Sequence, residues 1–158
     1  MSITWNELQE QVVDMGFEED SITDETEYGR NVRNAINRSI STIRSTVMPL
    51  ILSYLKNEEQ WGYEEENENG IKKWVFPKAK RLPSSLDGYD GDLEELLGKK
   101  IAFPEVLEPL LPLLVAHYVW LDDDLTKATI YWNEYDDLKN QIVQACNSPK
   151  NCIIVGGF

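Results

Sequence analysis

Ile36, Ile40, Ile43, Val47, Ile51 and Tyr54 recur at spacings of three and four over more than four turns, and this repeat constrains the chain more than any other feature. A 3.6-residue apolar period marks an amphipathic helix that buries one face, so a second apolar layer must cover it. Pro49 lies inside the repeat, where it removes the amide that would bond back to Ser45. Apolar positions continue on both sides, so the spacing predicts a bend near residues 45 to 49 and not a stop.

The covering layers are legible on either side. In "TWNELQEQVVDMG", Trp5, Leu8, Val12 and Met15 keep the same period, Thr4 and Glu7 fit a capping box, and Gly16 ends the turn. Further on, Leu110, Leu114, His117 and Leu121 share one helical face, with Pro109 and Pro112 placed in its first turn, where a missing amide is tolerated. Asp124 is positioned to cap a following helix, whose predicted stripe is Leu125, Ala128, Trp132, Tyr135, Ile142 and Cys146 at near-heptad spacing. So short a connection predicts that these two helices pack as an antiparallel pair.

The middle of the chain reads differently. "QWGYEEENENGIKKWVF" sets Asn69-Gly70 between two aromatic-containing runs, the pattern of a β-hairpin. A two-residue turn there puts Glu66 opposite Lys73 and Tyr63 opposite Phe76. Residues 77 to 105, rich in proline and glycine, read as a long surface excursion with little regular structure. The expected fold is therefore mainly α: a bundle of about four helices over residues 1 to 146, with a hairpin and loop inserted at 57 to 105. An extended C-terminal tail follows at 147 to 158.

Chemistry of the catalytic kind has little to build on. No GxGxxG, GxxxxGK[ST] or HExxH occurs. His117, the single histidine, lies in an apolar helix without a serine, cysteine or second histidine beside it, and reads as a hydrogen-bonded core residue. Asp122, Asp123 and Asp124 suit a helix cap better than a cation, because three consecutive side chains do not converge. Asp87, Asp90 and Asp92 lack the alternate oxygen ligands of a calcium loop, and Glu134, Asp136 and Asp137 look like a solvated helix face. The cysteines, Cys146 and Cys152, read as reduced thiols. The expectation is no enzyme, no metal and no cofactor.

The net charge of -13 repels a polyanion, so specific DNA binding is not expected. Arg30, Arg33, Arg38 and Arg44 nevertheless gather on the second helix beside Asn34 and Asn37, and read as a local positive strip for ion pairing within or between subunits. The chain opens with no basic and apolar leader, and "VLEPLLPLLVAHYVWL", broken by Glu108 and two prolines, falls short of the roughly 20 apolar residues that span a bilayer. Neither secretion nor a membrane is expected. In the tail, Ile153, Ile154, Val155 and Phe158 surround Gly156 and Gly157. Burying each large side chain is worth roughly 1.5 to 3 kcal/mol, so the segment either folds back or docks on a neighbour.

"LPLLVAHYVWLDDDLTKATIYWNEYDDLKNQI", with "RLPSSLDGYDG" before it, "IIVGGF" after it and "TWNELQEQVVD" plus "GRNVRNAINRSISTIRS" upstream, resembles the head-to-tail connector (adaptor) proteins of tailed bacteriophages. The resemblance covers most of the chain and rests on the order and composition of segments. It implies a helical virion protein of the neck, assembled in the host cytoplasm, whose copies form a ring, commonly of twelve, between the portal protein and another neck or tail-completion protein. It implies no enzymatic activity and a free passage for DNA. It also implies that Ile153, Ile154, Val155, Gly156, Gly157 and Phe158 contact the portal, and it leaves Arg30, Arg33, Arg38 and Arg44 as subunit-interface candidates. The segments "EEENENG" and Asp87 to Asp92 depart from the pattern. The competing expectation is an acidic monomeric binding protein, a DNA mimic or an inhibitor of a host protein.

Overall fold

The computed structural model describes residues 3–13, 27–83 and 93–148. Among them the chain is mainly helical, with six α-helices and one two-stranded antiparallel sheet. They are α1 (Trp5–Val13), α2 (Glu27–Thr46), α3 (Leu52–Asn57), β1 (Tyr63–Glu66), β2 (Lys72–Val75), α4 (Leu93–Leu97), α5 (Leu110–Trp120) and α6 (Leu125–Asn147).

Helix α5 is the centre. Leu110, Leu111, Pro112, Leu114, Val115, Ala116 and Val119 are all buried, so the helix is covered on nearly every side, as a helix apolar all round must be. Pro109 and Pro112 do sit at its start, where their missing amides cost no intrahelical bond. Helices α2, α6 and α1 supply the cover. Helix α1 presents Trp5, Leu8 and Val12, and Thr4 Oγ1 accepts from the Glu7 amide at 3.1 Å, as the capping pattern predicted. Met15 and Gly16 lie outside the described residues.

The bend at Pro49 is a change of helix type. Helix α2 ends at Thr46, a 3₁₀ turn spans Met48–Ile51 with the proline in its first positions, and α3 resumes at Leu52. Val47, Met48, Ile51 and Leu55 remain fully buried through it, so the apolar repeat outlasts the hydrogen-bond pattern. Ser39 is buried in the same face, and its hydroxyl is satisfied by donating to the Ala35 carbonyl at 2.7 Å.

The hairpin forms where expected but in another register. Tyr63 faces Val75, Glu65 faces Lys73 and Glu66 faces Lys72, one residue away from the two-residue-turn pairing. The loop has three residues: the Gly70 amide bonds to the Asn67 carbonyl at 3.0 Å, and Gly70 takes a φ of 77°. A three-residue loop with a left-handed glycine at its end adds one residue to the connection. Asn67 stabilises it, since its Oδ1 accepts from the amides of Asn69 and Ile71, both at 2.9 Å. At the hairpin base Gly62 has a φ of 110°, and a Cβ there would collide with the Trp74 indole and the Val75 carbonyl.

Residues 77 to 105 are not a surface excursion throughout. Leu82, Leu97, Ile101 and Phe103 are buried in the core, and α4 lies inside the segment. These four apolar residues are spaced too irregularly to announce one element, yet each anchors the chain. Ile3 and Trp5 pair with Ile101 and Lys99 through backbone bonds of 2.8 and 3.3 Å, and Glu108 Oε1 accepts from the Ile3 amide at 2.9 Å. Glu59, at the end of α3, closes the loop by accepting from the amides of Val106 at 2.7 Å and Glu105 at 3.1 Å.

Helix α6 begins at the predicted cap: Asp124 Oδ1 accepts from the Lys127 amide at 3.1 Å. Its inner face holds Ala128, Tyr135, Ile142 and Cys146 of the predicted stripe together with Tyr131 and Leu138, while Leu125 is 67% exposed and Trp132 38%. This face runs at spacings of three and four, the near-heptad spacing expected, and only Leu125 and Trp132 of the predicted stripe fall beside it.

Burial pushes the Glu108 carboxyl above the usual carboxylate range, and the nearby Glu105 and Glu59 carboxylates add to this, against the pull of the Ile3 amide. The folded chain therefore binds this proton more readily than the unfolded chain does, so stability is lost as pH rises through the raised value. Glu108→Gln keeps an oxygen for the Ile3 amide and removes the charge. The variant is expected to resist urea better than the parent at pH 7, and to lose that advantage at pH 4; equal midpoints at both pH values would contradict the assignment.

Candidate interaction surfaces

The long outer side of α2 is where polar side chains are concentrated without being spent on the core. Residues 77 to 83, "PKAKRLP", run along it in the opposite direction and are clamped by its side chains. Arg44 Nη2 donates to the Pro77 carbonyl at 2.6 Å, Arg81 Nη2 to Ser41 Oγ at 3.4 Å, and Arg33 Nε to the Pro83 carbonyl at 2.9 Å. Asn37 holds both sides of Leu82, donating to its carbonyl at 2.8 Å and accepting from its amide at 2.9 Å. A carboxamide matches a backbone unit in this way because it carries one donor and one acceptor in the same plane.

The four arginines of α2 thus separate into two pairs. Arg33 is buried, 1% exposed, and Arg44 is half-buried, where loss of water pushes its guanidinium below its ordinary value. Both act inside the molecule as clamps on residues 77 to 83, the strap, by donating to its backbone carbonyls. Arg30 and Arg38 are exposed. Arg38 lies over the Tyr118 ring at 4.2 Å, and the Tyr118 hydroxyl bonds to Thr42 at 3.1 Å, which fixes the guanidinium above α5. Asn31, Asn34 and Arg38 from α2 and Tyr118, Asp122 and Asp123 from the end of α5 line a shallow cleft of about 180 Å³.

Strap and helix together are strongly polarised. Residues 28 to 46 and 77 to 83 contain Arg30, Arg33, Arg38, Arg44, Lys78, Lys80 and Arg81, seven of the fifteen basic residues, and none of the 28 acidic ones. Lys78, Lys80 and Arg81 are exposed, and among the described residues no carboxylate pairs with them or with Arg38. This surface was only half visible in the sequence, because its second half lies 33 to 50 positions downstream of its α2 partners in a stretch read as loop. The run "KAKR" was the available signal.

The hairpin has the opposite character. Every residue from Tyr63 to Lys73 is exposed, so the ribbon stands clear of the bundle with both faces in water. Among the described residues it is fixed at its base, where the Trp74 indole donates to the Trp61 carbonyl at 2.9 Å and the Lys56 ammonium sits 5.4 Å from the Trp74 ring. Glu64, Glu65, Glu66 and Glu68 occupy β1 and the loop.

The remaining candidates are quiet chemically. His117 is half-buried, and its Nδ1 lies 2.8 Å from the Ala128 carbonyl, which can only accept, so Nδ1 carries the proton. Its ring meets Trp132 at 5.1 Å, and Trp132 meets Tyr135 at 5.3 Å, which ties α5 to α6. Burial, with the Glu59 carboxylate adding to it, pushes the Cys146 thiol up, away from the thiolate form that reacts. Asp122 and Asp123 are exposed at the corner, and Asp136 pairs with Lys139 at 2.8 Å. Among the described residues no group of three His, Cys, Asp or Glu side chains is disposed to hold a metal, and no helix is long and apolar enough to cross a membrane. Asp87, Asp90, Asp92 and the tail residues Ile153, Ile154, Val155, Gly156, Gly157 and Phe158 lie outside the described residues. No protein-family model, no curated protein and no solved structure matches the chain.

The clamp separates the two pairs of arginines experimentally. Arg33→Met fills the same space but withdraws the donor from the Pro83 carbonyl, and is expected to cost about 1 to 3 kcal/mol in urea unfolding. Arg30→Met, at an exposed site, should stay within about 0.5 kcal/mol of the parent. Similar losses at both positions would show that Arg33 is not the clamp.

Proposed function

We propose that this chain is a structural connector of a tailed-bacteriophage virion, whose copies form a ring on the portal and join the capsid to the tail while DNA passes through. The resemblance of the α2 and α5–α6 segments to head-to-tail adaptor proteins supplies the class. The observation that carries the reading is the segregation of contact surfaces. A hairpin with both faces in water and a cationic strip along α2 lie on a chain whose net charge is -13. An isolated two-stranded hairpin is marginal in water, so keeping one at the periphery suits a chain that completes it against a neighbour. A DNA mimic, by contrast, needs an acidic surface where this chain presents Arg38, Lys78, Lys80 and Arg81.

In this reading the partners are further copies of the chain, the portal protein and another neck or tail-completion protein, and the place of action is the virion neck. The chemistry is contact, with no cofactor. The acidic remainder of the surface keeps passing DNA from adhering to the ring, because like charges repel it.

Light scattering after size exclusion tests this directly. With the portal protein present, the chain is expected to elute in a portal-containing assembly many times its 18.2 kDa mass. A stable 18.2 kDa species that ignores the portal would overturn the proposal. The tail makes a separate case: deletion of residues 151–158 should leave the melting temperature within about 2 °C of the full chain, since it begins beyond the end of α6 at Asn147, and abolish portal docking. A drop much larger than that would place Ile153, Ile154, Val155 and Phe158 in the chain's own core instead.

A further inference from the structure

The two surfaces that the fold leaves unspent are opposite in sign, lie on different parts of the molecule and have no partner in each other within one chain. We infer that they are the two halves of one subunit contact, in which the acidic hairpin of one copy lies on the cationic α2 and strap strip of the next. The inference rests on the connector reading and names the surface by which its ring closes.

Geometry favours a neighbour as occupant. Residues 63 to 73 are exposed on both faces, so the hairpin does not lie on its own strip. Four residues of β1 at about 3.3 Å each carry the loop some 13 Å from the base, far enough to reach an adjacent copy. Glu64 and Glu68 have no lysine opposite them: Glu64 faces Trp74, and Glu68 is in the loop. Their charge is directed outward. On the receiving side, Arg38 is held over Tyr118 and Arg81 reaches Ser41, so two of the cations are ordered before any partner arrives. Preordered donors lose less side-chain freedom on contact.

Symmetry follows from the chemistry. A hairpin and a strip are different surfaces, so the contact is head-to-tail, and repetition of a head-to-tail contact gives a ring when the rotation per copy divides a full turn. A nucleic acid is the other polyanion with the charge to sit on a basic strip. The rest of the chain opposes it, because once the seven bases of the strip are set aside the remainder carries eight bases against 28 acids. A neighbour's hairpin brings its carboxylates at a stoichiometry of one per strip.

Two charge-reversed chains test the contact. In one, Glu64→Lys and Glu68→Lys make the hairpin basic while sparing the Glu65–Lys73 and Glu66–Lys72 pairs; in the other, Lys78→Glu and Lys80→Glu make the strap acidic. All four positions are exposed, and both variants should melt like the parent by circular dichroism. Assembly is read by light scattering at low salt, where screening is weakest. Each variant alone should need at least about tenfold more protein than the parent to assemble, since like charges then face each other. An equal mixture should recover the parent's midpoint, because every basic hairpin finds an acidic strip and every acidic hairpin a basic one. If the parent assembles and both variants do so equally well, the connector reading stands and the hairpin contact is wrong. If the parent stays at 18.2 kDa with and without the portal, both fail together. Binding of a fluorescein-labelled DNA duplex by the parent at 150 mM salt, lost in the strip variant, would assign the strip to nucleic acid and overturn the contact.

Discussion

Everything in this molecule is arranged around the need to bury α5. A helix with Leu110, Leu111, Leu114, Val115 and Val119 in the core has no face to give to water, so at least two other helices must flank it. Helix α6 follows through a corner of a few residues and is forced into contact by that brevity. Helix α2 has the longest apolar face to offer against it, and α1 closes the third side with Trp5 and Leu8. The hydrogen bond from His117 to the Ala128 carbonyl and the ring contacts around Trp132 then fix how α6 lies on α5. Once α5 is enclosed, the outer faces of α2 and α6 and the insertion between α3 and α5 are what remains for function.

The strap shows how an irregular segment is held without a sheet or helix of its own. Its backbone groups need partners, and α2 provides them from side chains: arginine donors for the Pro77 and Pro83 carbonyls and one asparagine for both groups of Leu82. Using guanidinium groups for this has a cost, since Arg33 is wholly buried and Arg44 partly so. Arg44 Nη1 is buried without a hydrogen-bond partner among the described residues, yet a charged donor fixes position more sharply than an apolar contact would. The strap's own cations, Lys78, Lys80 and Arg81, are thereby placed beside Arg38 on one face.

Most of the framework was legible because periodicity reports burial directly. The Ile36 to Ile51 repeat, the Thr4 and Asp124 caps and the placement of Pro109 and Pro112 needed only local rules. What escaped depended on contacts distant in sequence. The hairpin's register turned on whether Glu68 joined the loop, a choice supported by the two hydrogen bonds that Asn67 Oδ1 accepts. Leu125 and Trp132 have the composition of an inner stripe, and only the direction in which α6 meets α5 and the 3₁₀ turn puts them outside. The roles of Arg33 and Arg44 were hidden because their acceptors are backbone carbonyls 50 and 33 residues away, which no charge pattern announces. Leu82, Leu97, Ile101 and Phe103 were hidden for a related reason: single apolar anchors without a period look the same as loop residues.

Charge separation also bears on how the free chain behaves. A uniformly acidic protein repels its own copies from every direction, whereas one with Arg38, Lys78, Lys80 and Arg81 exposed along α2 and the strap repels them less from that side. Attraction then operates only when one copy's acidic ribbon approaches another's basic face, so encounter itself selects the geometry. The same arrangement limits what a pairwise contact can do. Two opposite and unequal surfaces cannot satisfy each other within a symmetric dimer unless both contacts form at once, and otherwise each copy keeps one surface open for the next. In the proposed ring, growth continues until the chain of copies meets its own beginning, and the angle at which the hairpin leaves the bundle at Gly62 and Trp74 sets how many copies that takes.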